Sequence, residues 1–293
     1  MRALVHRNRI AGDHVTSIVG SVVNAEDCCE VVSGADIVVQ MATTKEDAET
    51  FFDVSVRGTF NILEACRNVP NIRQFILLSG DAAQGIWFYP HPQPINESTP
   101  LAAYPGYYAF SKVMEETMTQ QYRIQYGVPT TILRSSWVFE ADDLLNHFSL
   151  LKNVNLAEPG HGLGEIPEEV LELVKAGQER IPVLVDCSGQ PLTRHIVHID
   201  DVIQALDRIL DNDAAIGRDY NIAGPDAFQY RDAAVYVSQT MNVPTVDIFN
   251  SQYHSFSIDI SRAQREIEYA PANDFRRMVD RALEARVERC ASP

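Results

Sequence analysis

The chain has 293 residues, 45% of them hydrophobic and 22% charged, and a formal net charge of -16. That length holds one large domain or a nucleotide-binding domain with a smaller appendage. The acidity, without any long Lys/Arg run, argues against nucleic-acid binding, so a phosphate-bearing ligand needs a local cationic pocket.

Short apolar runs alternate with longer amphipathic stretches through the first half. Ala3-Leu4-Val5 reads as a strand ending at His6-Arg7-Asn8-Arg9, residues 15–19 as a second, and 25–33 as a short helix. Asp36 to Met41 is a third strand, apolar enough for a sheet covered on both faces. A helix is predicted over 48–67, a strand over 74–78, a Pro- and Gly-rich loop to about 105, a helix over 107–126 and a strand over 130–133. Residues 141–190 read as helix-rich. A strand at 195–199, a helix at 200–210, a strand at 219–223 and a short apolar piece at 246–249 follow. Strands alternating with helices of this length predict βαβ units in a doubly wound parallel sheet, with right-handed crossovers. The expected division is a dinucleotide-binding domain at 1–140 plus 190–224, and a smaller, mostly helical substrate domain at 141–189 plus 225–293.

No run approaches the roughly 18 apolar residues of a membrane span, and the first residues lack a signal-peptide core. Five cysteines without a Cys-x-x-Cys spacing predict reduced thiols in a cytoplasmic protein, not disulfides or zinc. His195 and His198 are three apart on a predicted strand and so point to opposite faces, which argues against a metal site.

The chemistry concentrates in Tyr108-Ala109-Phe110-Ser111-Lys112. Positions i and i+4 share a helix face, so phenol and ammonium reach one site. The ammonium is expected to lower the tyrosine below its ordinary value near 10. A phenol tuned in this way exchanges a proton with a substrate hydroxyl while hydride moves to or from a nicotinamide.

With these residues in order, the chain resembles the extended short-chain dehydrogenase/reductase family, the sugar epimerase/dehydratase-like group. The resemblance runs through 36–42, 54–65, 75–85, the Tyr108/Lys112 pair, Leu133-Arg134-Ser135-Ser136-Trp137-Val138-Phe139, residues 194–202 and Tyr220-Asn221-Ile222-Ala223-Gly224-Pro225. It implies a Rossmann-like fold and an NAD- or NADP-dependent oxidoreductase, epimerase or dehydratase acting on a sugar or nucleotide sugar. Tyr108 would be the acid/base, and Lys112 would tune it and hold the nicotinamide ribose. Ser79 would supply the second catalytic hydroxyl. Ala42 and Ser21 would lie beside the cofactor. Asp81, Trp137 and Arg194 would face substrate, with Arg194 either on a phosphate or paired with Asp200 or Asp201. The resemblance also implies a homodimer through the helices at 48–67 and 107–126.

Four departures qualify that resemblance. The family's first strand and glycine fingerprint, which bind the cofactor pyrophosphate, have no counterpart, and the chain reads as starting at the second strand. Gly160, Gly162 and Gly164 follow no strand and read as a loop. Gly80 stands where the family has Ser or Thr. Ser21 replaces an acid, and the asparagine of strict epimerases is Trp137. His6, Arg7 and Arg9 at the end of the first strand, with no acid, lean towards NADP. The rival expectation is a non-catalytic binding or regulatory protein that has lost its cofactor.

Overall fold

The structure, a computed structural model, describes residues 1–156, 163 and 166–291. Gly160, Gly162 and Gly164 lie outside the described residues. In chain order the elements are β1 (Arg2–Val5), β2 (Thr16–Val19), α1 (Ala25–Val32), β3 (Ile37–Gln40), α2 (Gly58–Arg67), β4 (Gln74–Gly80), α3 (Tyr107–Tyr126), β5 (Thr130–Ser135) and β6 (Trp137–Phe139). Then come α4 (Asp143–His147), α5 (Leu150–Asn153), α6 (Glu168–Lys175), β7 (Ile181–Val185), β8 (Thr193–Arg194), β9 (Ile196–His198) and α7 (Ile199–Ile209). The rest are β10 (Asp219–Ile222), β11 (Phe228–Gln229), α8 (Tyr230–Met241), β12 (Thr245–Phe249), α9 (Ser261–Ile267) and α10 (Phe275–Ala291).

A parallel sheet of order β10-β5-β4-β3 forms the centre. Its strands alternate between two cores, as a period of two requires. Phe75, Leu77 and Ile132 enter one core with Cys28 and Val32 of α1, Ile62 and Leu63 of α2, and Tyr122 of α3. Ile76 and Leu133 enter the other with Ala205 and Ile209 of α7 and much of the C-terminal half. Helices therefore cover both faces, the α/β Rossmann-like arrangement that the strand–helix alternation predicts. Each fully buried Leu, Ile or Phe contributes about 1.5–3 kcal/mol.

β1 and β2 form a separate parallel pair, with no ladder to β3 among the described residues. α1 holds this pair to the sheet. Asn24 caps α1 by accepting from the Glu26 amide at 2.8 Å, and the Asn61 side chain on α2 donates to the Val22 and Val23 carbonyls at 2.8 and 3.1 Å.

Several elements depart from the sequence pattern. The helix expected over 48–67 is a π-helical turn at Phe51–Arg57 running into α2. The strand expected at 195–199 is β9 alone, Ile196–His198, with β8 a separate two-residue strand before it, and Ile199 already opens α7. The stretch 141–190 is not all helix. Ile181-Pro182-Val183-Leu184-Val185 is a fully buried strand in parallel register with β12, and a short continuous apolar run cannot be told from buried helix by periodicity. β6 pairs with β9, and β8 pairs antiparallel with β11.

Candidate active site

The carboxyl ends of β3, β4 and β5 open on one edge, where open parallel sheets place their ligands. β4 ends at Ser79-Gly80, and α3 brings Tyr108 back to that point. α3 begins at Gly106, whose φ of 151° leaves no room for a side chain: a Cβ there would lie 2.8 Å from the Glu46 carboxylate. Glu46 accepts from the Tyr107 amide at 2.7 Å and fixes the helix start. A Cβ on Gly80 would stand 3.3 Å from the Tyr108 hydroxyl, so strand end and phenol are in contact range.

One turn along α3, Lys112 Nζ lies 5.7 Å from the centroid of the Tyr108 ring. It donates to the Leu78 carbonyl at 3.3 Å and to Glu115 Oε2 at 2.9 Å. The helix thus unites the phenol and the ammonium, but the electrostatics correct the expected direction. Burial pushes the Tyr108 phenol up to about 12, helped by the negative charges of Asp81 and Glu115. Burial is the main cause; Glu115, the smallest contributor, ion-pairs with Lys112 where both side chains are almost wholly buried. Burial raises Glu115 itself to about 7, against the pull of Lys112.

Ser79 requires a second correction. Its hydroxyl donates to Glu116 Oε1 at 2.6 Å, inside a buried network in which Arg134 grips both Glu116 oxygens at 2.7–2.9 Å. Successive strand residues face opposite ways, so the residue that meets Tyr108 is Gly80, which has no hydroxyl to offer. Ser79 braces β4 against α3 and β5.

Asp81 follows directly. Burial pushes its carboxyl up to about 6, while Arg194 and a hydrogen bond from Ser136 pull the other way; Ser136 Oγ donates at 3.1 Å. The Arg194 guanidinium is stacked between two indoles, 3.6 Å from the Trp137 ring centroid and 4.7 Å from that of Trp87. Nη1 donates to the Tyr230 hydroxyl at 3.4 Å, and the buried Nε has no partner among the described residues. The alternative pairing with Asp200 or Asp201 does not form: Asp200 binds Arg281 at 2.6 Å, and Asp201 accepts the Ala272 and Asn273 amides at 2.9 and 3.2 Å. His147 shares a 2.8 Å hydrogen bond with Tyr230, and burial beside Arg194 holds the imidazole down to about 3. A neutral imidazole, the Tyr230 phenol and a stacked cation therefore line this side.

Arg7, Ser21 and Ala42 follow the carboxyl ends of β1, β2 and β3. Arg7 is exposed. The Ser21 amide is taken by Asp27 Oδ2 at 2.8 Å, and Ala42 accepts from the Gln40 side chain at 3.3 Å. α1 opens with Glu26 and Asp27, a charge that opposes phosphate at its N-terminus. The nicotinamide-ribose end of a dinucleotide thus has suitable donors in Tyr108 and Lys112. Among the described residues, no glycine turn at a helix N-terminus adjoins them for the pyrophosphate.

Sequence reasoning missed Glu115, Glu116 and Trp87. Helical spacing could have found the first two, three and four residues after Lys112. Trp87 has a φ of 81°, unfavourable for a non-glycine residue, and its indole stacks on Tyr253 with ring centroids 4.7 Å apart. No signal short of the tertiary structure places it against Arg194.

A profile described as "NAD dependent epimerase/dehydratase family" matches residues 2–223. A dTDP-glucose 4,6-dehydratase of Streptomyces griseus is 21% identical over 266 residues, 83% of this chain and 69% of that protein. A second dTDP-glucose 4,6-dehydratase, of Mycolicibacterium smegmatis, is 27% identical across 72% of this chain and 57% of its own length. A 2-alkyl-3-oxoalkanoate reductase of Shewanella oneidensis is 29% identical across 44% of this chain and 35% of its own length. The chain therefore spans between about a third and two thirds of these relatives. Among solved structures, a short-chain dehydrogenase/reductase superfamily protein of Agrobacterium tumefaciens with bound NAD superposes with a TM-score of 0.81 at 20% identity, covering 97% of this chain and 89% of that one. A UDP-glucuronic acid 4-epimerase of Bacillus cereus in complex with NAD gives 0.71 at 17% identity, with 96% and 83% covered; at such identities the likeness speaks to fold. The parallel sheet, the Tyr108/Lys112 pair at its carboxyl edge and a family match across residues 2–223 agree, and the chain belongs to the NAD-dependent epimerase/dehydratase family of enzymes.

Proposed function

We propose that the protein acts on a hydroxyl or carbonyl of a sugar or nucleotide sugar, as an epimerase, dehydratase or reductase, with Tyr108 moving the proton at the substrate oxygen. The observation that carries this reading is the placement of the Tyr108 hydroxyl against Gly80 at the end of β4, with Lys112 one turn away and Asp81 next in the chain. NAD or NADP supplies the hydride chemistry when bound, and Tyr108 and Lys112 are the residues that would hold its nicotinamide ribose. Arg7, exposed at the end of β1, supports NADP.

The remaining roles belong to this chain's own groups. Asp81, with a carboxyl near pH 6, is the second proton-transfer group beside a position that lacks a hydroxyl. Arg194, kept planar between Trp87 and Trp137 and with Nε unengaged, is suited to an anionic substrate group. Trp137, half exposed, forms the pocket wall. Phe60, Phe110 and Ile124 are exposed on α2 and α3, and these helices would pack against a second copy in a homodimer.

The test is turnover of a panel of UDP- and dTDP-sugars with NAD and NADP by the wild type and Tyr108→Phe. Loss of about 10²–10⁴-fold in kcat with nucleotide-sugar affinity retained is expected, and equal turnover would sink the assignment. The closed Lys112–Glu115 pair and the high Tyr108 value favour a second reading, a ligand-binding protein without turnover. Nucleotide-sugar binding by a wild type that turns nothing over would select it.

A further inference from the structure

Beside Asp81 the candidate site holds a single cation in a cage of rings. The Arg194 guanidinium is 7% exposed and lies 3.6 Å from the Trp137 ring centroid and 4.7 Å from that of Trp87. We propose that the free edge of Arg194 is the subsite for one carboxylate of the substrate, and that the substrate is a free sugar acid without a nucleotide diphosphate. The inference rests on the catalytic reading above, in which Tyr108 meets the reacting hydroxyl or carbonyl.

The donors define the shape of the ligand group. A guanidinium donates only in its own plane, and indoles cover both of its faces, so an anion has to meet it edge-on. Nη1 is engaged by the Tyr230 hydroxyl at 3.4 Å. Nε is buried without a partner, and Nη2 has no hydrogen bond or ion pair among the described residues. Nε and Nη2 share one edge, and their parallel N–H groups match the two oxygens of one carboxylate. An unpaired buried donor is costly in a folded protein, and a ligand oxygen at Nε removes that cost.

Charge argues against a diphosphate. Among the described residues, Arg194 is the one cation whose field reaches Asp81, Tyr104, His147, Tyr230 and Tyr253. Lys112, on the same helix as Tyr108, is already paired with Glu115. A diphosphate would bring two negative charges to one buried guanidinium, with the Asp81 carboxyl beside it. Unmatched charge in such surroundings is strongly disfavoured. A carboxylate brings one charge and one planar pair of oxygens.

Spacing favours a small molecule. Asp81 interacts electrostatically with both Arg194 and Tyr108, and Tyr104 feels all three. A carboxylate on Arg194 and a reacting oxygen at Tyr108 therefore border the same carboxyl group, a span that one sugar ring covers. The walls are rings as well: Tyr104 stacks on Phe88 with centroids 4.3 Å apart, and Trp87 on Tyr253 at 4.7 Å. Aromatic faces of this kind suit a compact ring held by a few polar groups.

Trp87 and Trp137 are the only two tryptophans of the chain, so intrinsic fluorescence reads this subsite directly. The test titrates the full chain, at constant ionic strength, with glucuronate, galacturonate and gluconate, each beside its amide, and with UDP-glucose. A saturable change is expected with at least one acid, and its amide should bind at least roughly tenfold more weakly. Arg194→Lys keeps the charge and removes the fork, so it should lose at least about tenfold in affinity for that acid. If this variant unfolds, the contrast between acid and amide in the wild type decides alone. Three outcomes overturn the proposal: no saturable change with any of the three acids, an amide that binds as tightly as its acid, or UDP-glucose binding more tightly than every acid. The readout needs neither turnover nor cofactor. Tight UDP-glucose binding would sink this inference and leave the Tyr108 assignment standing, whereas unaltered turnover in Tyr108→Phe would sink that assignment and leave acid binding intact.

Discussion

The four-stranded sheet and the β1–β2 pair are built from similar short apolar segments but live in different surroundings. In β4 and β5, Phe75, Ile76, Leu77 and Ile132 are fully buried, each strand has a neighbour on both edges, and helices cover both faces. In β1 only Val5 is buried, and β2 has no buried residue. Tyr108 and Asp81, the proposed proton-transfer groups, adjoin the first region, whose position is fixed by packing. The residues expected near the far end of a dinucleotide stand on the second, which is held by one ladder and by α1. The difference in burial thus comes from how many sides of each strand are occupied, not from strand composition.

The largest expected effect is in the rigid half. Glu116→Ala leaves the buried Arg134 guanidinium without its bidentate partner and frees Ser79, and removing one member of a buried pair costs about 3–5 kcal/mol. Chemical denaturation should show it, and a loss under about 1 kcal/mol would mean that the network is not structural. Phe75→Ala should cost a similar amount, about 3–5 kcal/mol. Leu4→Ala, half-buried at an open edge, should cost clearly less. Equal losses at Phe75 and Leu4 would erase the contrast between the two regions.

Next comes a pH effect. The Asp81 carboxyl is raised from 3.8 to about 6 in the folded state. A raised value means that the folded protein holds the proton more tightly, so the contribution is complete below about 4 and is lost as pH rises through about 6. Asp81→Asn removes this dependence. The wild type should lose stability relative to the variant across that window, by roughly 3 kcal/mol at the upper end. Parallel melting curves between pH 4 and pH 7 would contradict the placement of Asp81.

Glu115→Gln tests the electrostatics of the site more finely. Its negative charge raises Tyr108, so removing it should move the phenol limb of the kcat/KM profile to lower pH. An unmoved limb would mean that Glu115 acts on packing alone. The smallest change is expected at Arg7→Ala, which should weaken NADP binding and leave NAD binding unaltered; equal effects on both would remove the support for NADP.

Much of this was legible in the sequence because it is local. Periodicity marked β3, β4, β5, α3, α7 and β10 within a residue or two, and Tyr-x-x-x-Lys marked a shared helix face. The buried strand β7 was not legible, because five apolar residues in a row carry no period and its partner β12 lies about sixty residues away. Nor was the direction of the Tyr108 value. The motif supplies the ammonium, but the offsetting charge of Glu115 and the burial of the whole group depend on packing.

The sequence by itself determined the strand–helix alternation and the one helix that carries phenol and ammonium, since each is written in neighbouring residues. Only the tertiary structure decided that Ser79 turns inward to Glu116 while Gly80 meets Tyr108, that Trp87 and Trp137 enclose Arg194, and that no ladder joins β1 to β3 among the described residues. The physical reason is that burial and pairing are properties of what a residue meets in space, and these partners come from segments far apart in the chain.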